Sequence, residues 1–116
     1  MATPLRFNPM VAFAVVALLE GCDPGGAMAD CKAEFAKGQY PRAKEDLLAM
    51  EPTAMTWDPR GQAEYALYRG LTSEALGNRD EAVAWLRAAR TLEEAAPGSL
   101  SRLDAQRLRV GLDTVR

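Results

Sequence analysis

Two stretches of the chain, Gly38-Gln39-Tyr40-Pro41-Arg42-Ala43 and Gly77-Asn78-Arg79-Asp80-Glu81-Ala82, stand 39 positions apart and share one pattern. In each, a glycine turns the chain, and small or apolar residues then recur at i, i+4 and i+7. They are Ala43, Leu47 and Met50 in the first copy and Ala82, Leu86 and Ala89 in the second. That spacing is one face of an α-helix, built to press on the preceding helix. The small Ala43 and Ala82 admit a close approach of the two backbones. A helical hairpin repeated at fixed spacing is the signature of a stacked array, so the chain is constrained to an all-α fold of antiparallel hairpins.

The punctuation between segments agrees. Gly38 and Gly77 fall where glycine terminates helices, and Asp58-Pro59 places an N-cap acid before proline at the first helical position. Asn78 with Glu81 has capping-box spacing, and Ser101 with Asp104 repeats it. The predicted helices span 27–37, 41–50, 59–76, 79–95 and 101–114, with a longer loop at 51–60. In the last segment Leu103, Leu108, Leu112 and Val115 are placed on one side, and Arg102, Arg107 and Arg109 elsewhere. It reads as a closing helix that covers the final hairpin, as the ends of helical arrays require, and its arginines read as a solvated face or as contacts for an acidic partner.

The segment from Ala63 to about Glu94, AEYALYRGLTSEALGNRDEAVAWLRAARTLEE, resembles the tetratricopeptide repeat, a helix–turn–helix unit of roughly 34 residues. It carries the small Gly70, the turn Gly77, the small Ala82, the large apolar Leu86 and the small Ala89, and Leu92 also fits. It departs where Arg69 and Ser73 replace a leucine and an aromatic, and where Glu94 replaces the closing proline, Pro97 coming three residues later. A weaker copy matches from Gly38 to Met50, with Cys31 at the small position of its first helix. The resemblance implies a TPR-like array of one and a half to two repeats over residues 27–116, with the closing helix behind it.

The front of the chain has a different character. Met1 to Pro9 holds one cationic side chain, Arg6, and no acid, and Met10 to Leu19 is entirely apolar. Ten helical residues rise only ~15 Å against ~30 Å of hydrocarbon, too short to span a membrane. A charged start, a short apolar run and small residues after it form a secretory signal peptide; the bland alternative is a buried N-terminal helix. Leu19-Glu20-Gly21-Cys22 resembles the bacterial lipobox, with Glu20 departing from the small or apolar residue usual there. The resemblance implies a cleaved leader over 1–21, an acylated Cys22, a lipid-anchored tether over 22–26, and Asp23 as an inner-membrane sorting residue. A competing A-x-A site, Ala27-Met28-Ala29, would instead release a soluble secreted or periplasmic helical protein beginning at Asp30.

Composition narrows the functional classes. The chain has no histidine, which removes histidine-based triads, metal ligands and the usual near-neutral general base. Its two cysteines, Cys22 and Cys31, are too few for a structural zinc site, so no metal or other cofactor is implied. A net charge of −2 without a basic stripe argues against nucleic acid. An enzyme would need a carboxylate pair such as Asp80/Glu81 or Glu93/Glu94, but adjacent helical residues point about 100° apart, and Glu93-Glu94 at a helix end is expected to fray. What remains is a non-catalytic interaction or assembly module serving an envelope partner, with a second copy of the chain as a further candidate partner.

In tetratricopeptide proteins the first helix of each hairpin lines a concave groove for a partner segment. Carried over by position, that groove would contain Lys32, Phe35 and Ala36 from the first copy. The second would supply Glu64, Leu67, Leu71, Glu74 and Ala75. Leu67 and Leu71 serve equally well as core. Tyr65, Tyr68, Trp57 and Trp85 are the aromatic candidates for interface anchors. Trp57, before Asp58-Pro59, is placed to be either a plug or a partner contact.

Overall fold

The computed structural model describes residues 24–116, with side-chain exposure from Gly26 onward. The expected leader over 1–21, the lipidation residue Cys22 and the sorting residue Asp23 lie outside the described residues.

Five helices follow one another: α1 (Pro24–Ala36), α2 (Tyr40–Ala54), α3 (Pro59–Ala75), α4 (Arg79–Ala95) and α5 (Arg102–Thr114). The 39-residue repeat is visible in the backbone itself. Gly38 and Gly77 take φ of +79° and +82°, the left-handed region that glycine enters without a Cβ clash. In both turns the residue after the glycine donates its N–H five residues back, Gln39 to Glu34 and Asn78 to Ser73, each at 2.9 Å. This doubly bonded turn satisfies the last helical carbonyls. The three expected caps are formed as well. Asp58 accepts the Gly61 N–H at 2.8 Å, Ser101 accepts that of Asp104 at 3.1 Å, and Asn78 donates to the Glu81 carboxylate at 2.7 Å.

Two boundaries differ from expectation. Helix α1 begins at Pro24, so Pro24 to Gly26, expected to be tether, form its first turn. Proline costs little there because its missing N–H has no intrahelical partner in any case. Helix α2 continues past Pro52 to Ala54, shrinking the expected 51–60 loop to four residues. Pro52 cannot bond the Leu48 carbonyl, but both residues lie on the exposed side, where water can. Burial of Met50 and Ala54 holds the last turn in place. Gln62 then donates to the carbonyls of Met55 and Trp57 at 3.1 and 2.8 Å, clasping the short connection.

Helix α3 is the axis of the molecule, touched by all four other helices. Every residue from Tyr65 to Ser73 is buried, a helix enclosed on all sides. At Gly70 an added Cβ would stand 2.6 Å from the Leu86 side chain, so α3 and α4 meet at a distance only glycine permits. Gly111 does the same for α5, where a Cβ would come within 3.2 Å of Leu71 and 3.3 Å of Leu86. The repeat residues Ala43, Leu47, Met50, Ala82, Leu86 and Ala89 are all buried, as their spacing requires. Helices α1 and α5 both pack on α3, while their own backbones stay apart and meet through side chains at one end, which leaves a groove over α3 between them.

Candidate functional site

The groove encloses about 320 Å³. Its floor is Leu71 and Glu74 of α3, one wall is Phe35 of α1, and the other is Leu103, Gln106, Arg107 and Val110 of α5. Phe35 is held by edge-on contacts with Tyr40 and Tyr68, with ring centroids at 5.2 and 5.5 Å. Leu103 and Val110 stand seven residues apart, two helical turns, and are 57% and 58% exposed. They form a rail of large apolar side chains that the other described residues leave largely uncovered.

One end of the groove is closed by a polar cluster tying α1, α3 and α5 together. Lys32 Nζ donates to Glu64 at 2.7 Å and lies 3.6 Å from Asp104. Tyr68 donates its hydroxyl proton to Asp104 at 3.0 Å, and Arg107 reaches both Tyr68 and Asp104. Asp104 is buried, and its neighbours supply the charge-assisted bonds a buried carboxylate needs. Burial works to lower the pKa of Lys32, but the bond and charge of Glu64, with Asp104 behind, hold it above its ordinary value. Burial and the Asp104 charge push the Tyr68 hydroxyl well up.

At the other end, Glu74 lies in the last turn of α3. One of its carboxylate oxygens is buried and has no hydrogen-bond partner among the described residues. Burial raises its pKa, and among the described residues it forms no ion pair.

Of the residues expected to line a groove, Phe35, Leu71 and Glu74 do so. Leu67 does not: it is fully buried core. Lys32 and Glu64 are spent on each other, and Ala36 and Ala75 lie exposed outside the groove. Leu103 is also misplaced by the sequence reading. Five residues separate it from Leu108, which turns it away from the buried side and into the groove wall. The α5 wall as a whole was missed, although Leu103 and Val110 at two-turn spacing carried the signal.

Trp57 is half-buried, its ring edge-on to Tyr65 at 5.9 Å and its Cβ 3.1 Å from where a Cβ on Gly61 would be. It covers the core beside the α2–α3 connection. Arg69, which breaks the repeat pattern, proves to be the centre of a second polar cluster. Its guanidinium donates to Glu51 and Glu81 at 2.8 Å and to Tyr65 at 3.0 Å, and it stacks over Trp85 at 4.5 Å. Hydrogen bonding from Arg69 holds the Glu81 carboxyl below its ordinary range. Glu93 does not fray; it accepts the N–H groups of Leu100 and Gly98 at 2.8 and 2.7 Å and pins the α4–α5 turn. Those two bonds lower its pKa.

Glu81 and Glu93 are thus occupied structurally, while Asp80 and Glu94 point to solvent. Burial, with Asp46, Glu34 and Glu64 adding to it, pushes the Cys31 thiol up to about 12, and its sulfur lies 3.7 Å from the Ala43 carbonyl. This is the environment of a packed small hydrophobe rather than a reactive thiol. Two further concavities lie away from the groove. One is an apolar recess of about 360 Å³ bordered by Met55, Trp85 and Leu92, and the other a crevice of about 430 Å³ edged by Arg87, Arg90, Arg109 and Arg116. Among the described residues no cluster of metal-ligating side chains occurs, and no helix is long and apolar enough to cross a membrane. Comparison with protein-family models, curated proteins and solved structures gives no match.

Proposed function

We propose that this chain is a non-catalytic envelope lipoprotein. It acts as an interaction or assembly module and holds a segment of a partner protein in the groove over α3. The observation that carries the reading is the uncovered Leu103–Val110 rail facing Phe35 across Leu71. Large apolar side chains gathered at a concave surface gain most when a partner removes them from water. The placement of α1 and α5 on either side of α3 supports a tetratricopeptide-like arrangement, in which the first helices of successive hairpins share one face. A photocrosslinking residue at Val110 should capture one discrete envelope protein that then binds the purified chain. A crosslinker at exposed Arg87, across the molecule, should not capture it. Equal capture at both positions, or failure of the captured protein to bind in purified form, would remove the reading.

Anchoring through Cys22 is favoured by the position of the rival cleavage site. Ala27-Met28-Ala29 lies within α1, and Met28 is buried in the core. A cut after Ala29 would strip that side chain and more than a turn of α1 from the fold, whereas a cut before Cys22 leaves the helix whole. Intact mass distinguishes the outcomes: an acylated start at Cys22, a soluble form starting at Asp30, or an uncut Met1.

A further inference from the structure

The groove has an electrostatic feature that the apolar rail does not explain. Its floor carries Glu74, in the last turn of α3, with one oxygen buried and unbonded among the described residues. The ordinary remedy for such a group is a nearby cation, and among the described residues Glu74 forms no ion pair; Arg79, which shares a neighbouring recess with it, is directed to the Val115 carbonyl. Arg107, on the same wall, is directed to Asp104 and Tyr68, and Lys32 is directed to Glu64 and Asp104. The charged side chains that line the groove are Glu74 and Arg107, and Arg107 is engaged with Asp104 and Tyr68. The charge left without an ion-pair partner among the described residues is that of Glu74. Its place near the C-terminus of α3 adds the partial negative charge of the helix end. Water has already been removed from part of this carboxylate, so an arriving cation gains the attraction without bearing the whole desolvation cost.

We propose that the groove selects a partner segment that presents a lysine or arginine to Glu74, with apolar side chains beside it on Phe35, Leu71, Leu103 and Val110. This deepens, and rests on, the reading of the groove as a partner site. The partner is a basic amphipathic peptide segment. The cation sets its register, because Glu74 lies at the opposite end of the groove from the paired Lys32–Glu64–Asp104 cluster. An acidic or uncharged apolar segment would leave the Glu74 charge buried without compensation.

The test pans a phage-displayed library of short random peptides against the full chain, then measures the enriched peptides by titration calorimetry on the wild type and variants. Enriched peptides should carry a lysine or arginine next to apolar residues. Their affinity should fall roughly tenfold or more in Glu74→Gln, the scale of one charge-assisted bond in a partly dry site, and recover in part in Glu74→Asp. Leu103→Asp, at a position already exposed, should abolish binding while circular dichroism and melting stay close to wild type. Peptides that lack a cation, or that bind Glu74→Gln as well as wild type, yet are lost in Leu103→Asp, would overturn the cation assignment and leave the groove reading standing. No enrichment, or peptides indifferent to Leu103→Asp, would overturn both.

Discussion

On its α2–α4 side, α3 presents Arg69, whose guanidinium meets Glu51, Glu81 and Tyr65 within 3.0 Å and lies over Trp85. On its α1–α5 side it presents Glu74, which forms no ion pair among the described residues and has one buried oxygen without a hydrogen bond there, as does the Arg69 Nε. Both are charged residues on one helix; Arg69 is buried, whereas Glu74 is partly exposed with one oxygen buried. The first is surrounded by acids and aromatics from three helices and staples them together. The second is left short of a cation beside two exposed apolar side chains. The difference separates what the molecule needs in order to fold from what it holds ready for something else, since a buried charge without a partner is a cost that natural folds keep mainly at working sites.

The largest effects should come from the closed side. Arg69→Ala removes the cation shared by two carboxylates and leaves Tyr65 and Trp85 without their stacking partner. Breaking a buried pair in this way costs about 3–5 kcal/mol, and the partial exposure of Glu51 and Glu81 places the expected loss near 3 kcal/mol by chemical denaturation. A value under about 0.5 kcal/mol, that of an ordinary surface substitution, would show that the cluster does not staple the helices. Gly70→Ala comes next. Its Cβ would overlap Leu86, and overpacking of this kind costs about 1–3 kcal/mol, with a melting point lower by several degrees.

On the groove side, Val110→Ser and Leu103→Ser should change stability by less than about 0.5 kcal/mol while removing partner binding. A large destabilisation would make the rail part of the core rather than a docking surface. Glu74→Gln should raise the melting temperature slightly at neutral pH. Its native pKa is raised, so the ionised carboxylate opposes folding, and stability is lost as pH rises through that value. Glutamine removes the penalty. A lower melting temperature would mean that Glu74 has a stabilising partner in solution.

Glu81 and Glu93 have the opposite sign. Their native pKa values are lowered, so each stabilises the fold fully above the ordinary carboxylate pKa of ~4.3 and loses that contribution as pH falls through its native value. Glu93→Gln should therefore flatten the acid limb of a stability–pH profile, with an unchanged limb ruling out its role in pinning the α4–α5 turn.

How much of this was legible in advance follows from the range of the interactions involved. Helices and their turns are set by contacts within a few residues. Gly38 and Gly77 could be read as left-handed turns, Asp58, Asn78 and Ser101 as caps, and Ala43–Leu47–Met50 and Ala82–Leu86–Ala89 as buried faces. The start of α1 at Pro24 and the passage of α2 through Pro52 were less legible, because tertiary burial and helix position decide whether a proline ends a helix. Three groove residues, Phe35, Leu71 and Glu74, were placed by repeat spacing. Leu67, at the same spacing, went to the core because all four other helices pack on α3 and enclose its middle turns, which the period of one segment does not encode.

By itself, then, the sequence determined an all-α chain of hairpins with a 39-residue beat, because helical periodicity and capping are local and repeat where the residues repeat. Only the tertiary structure decided that Arg69 is a staple, that Lys32 and Glu64 are paired with each other, and that Leu103 and Val110 turn toward Glu74. Those outcomes depend on which helices α3 touches and which it leaves apart. The groove exists because α1 and α5 both reach α3 while their own backbones stay apart, a consequence of packing geometry that no single segment encodes.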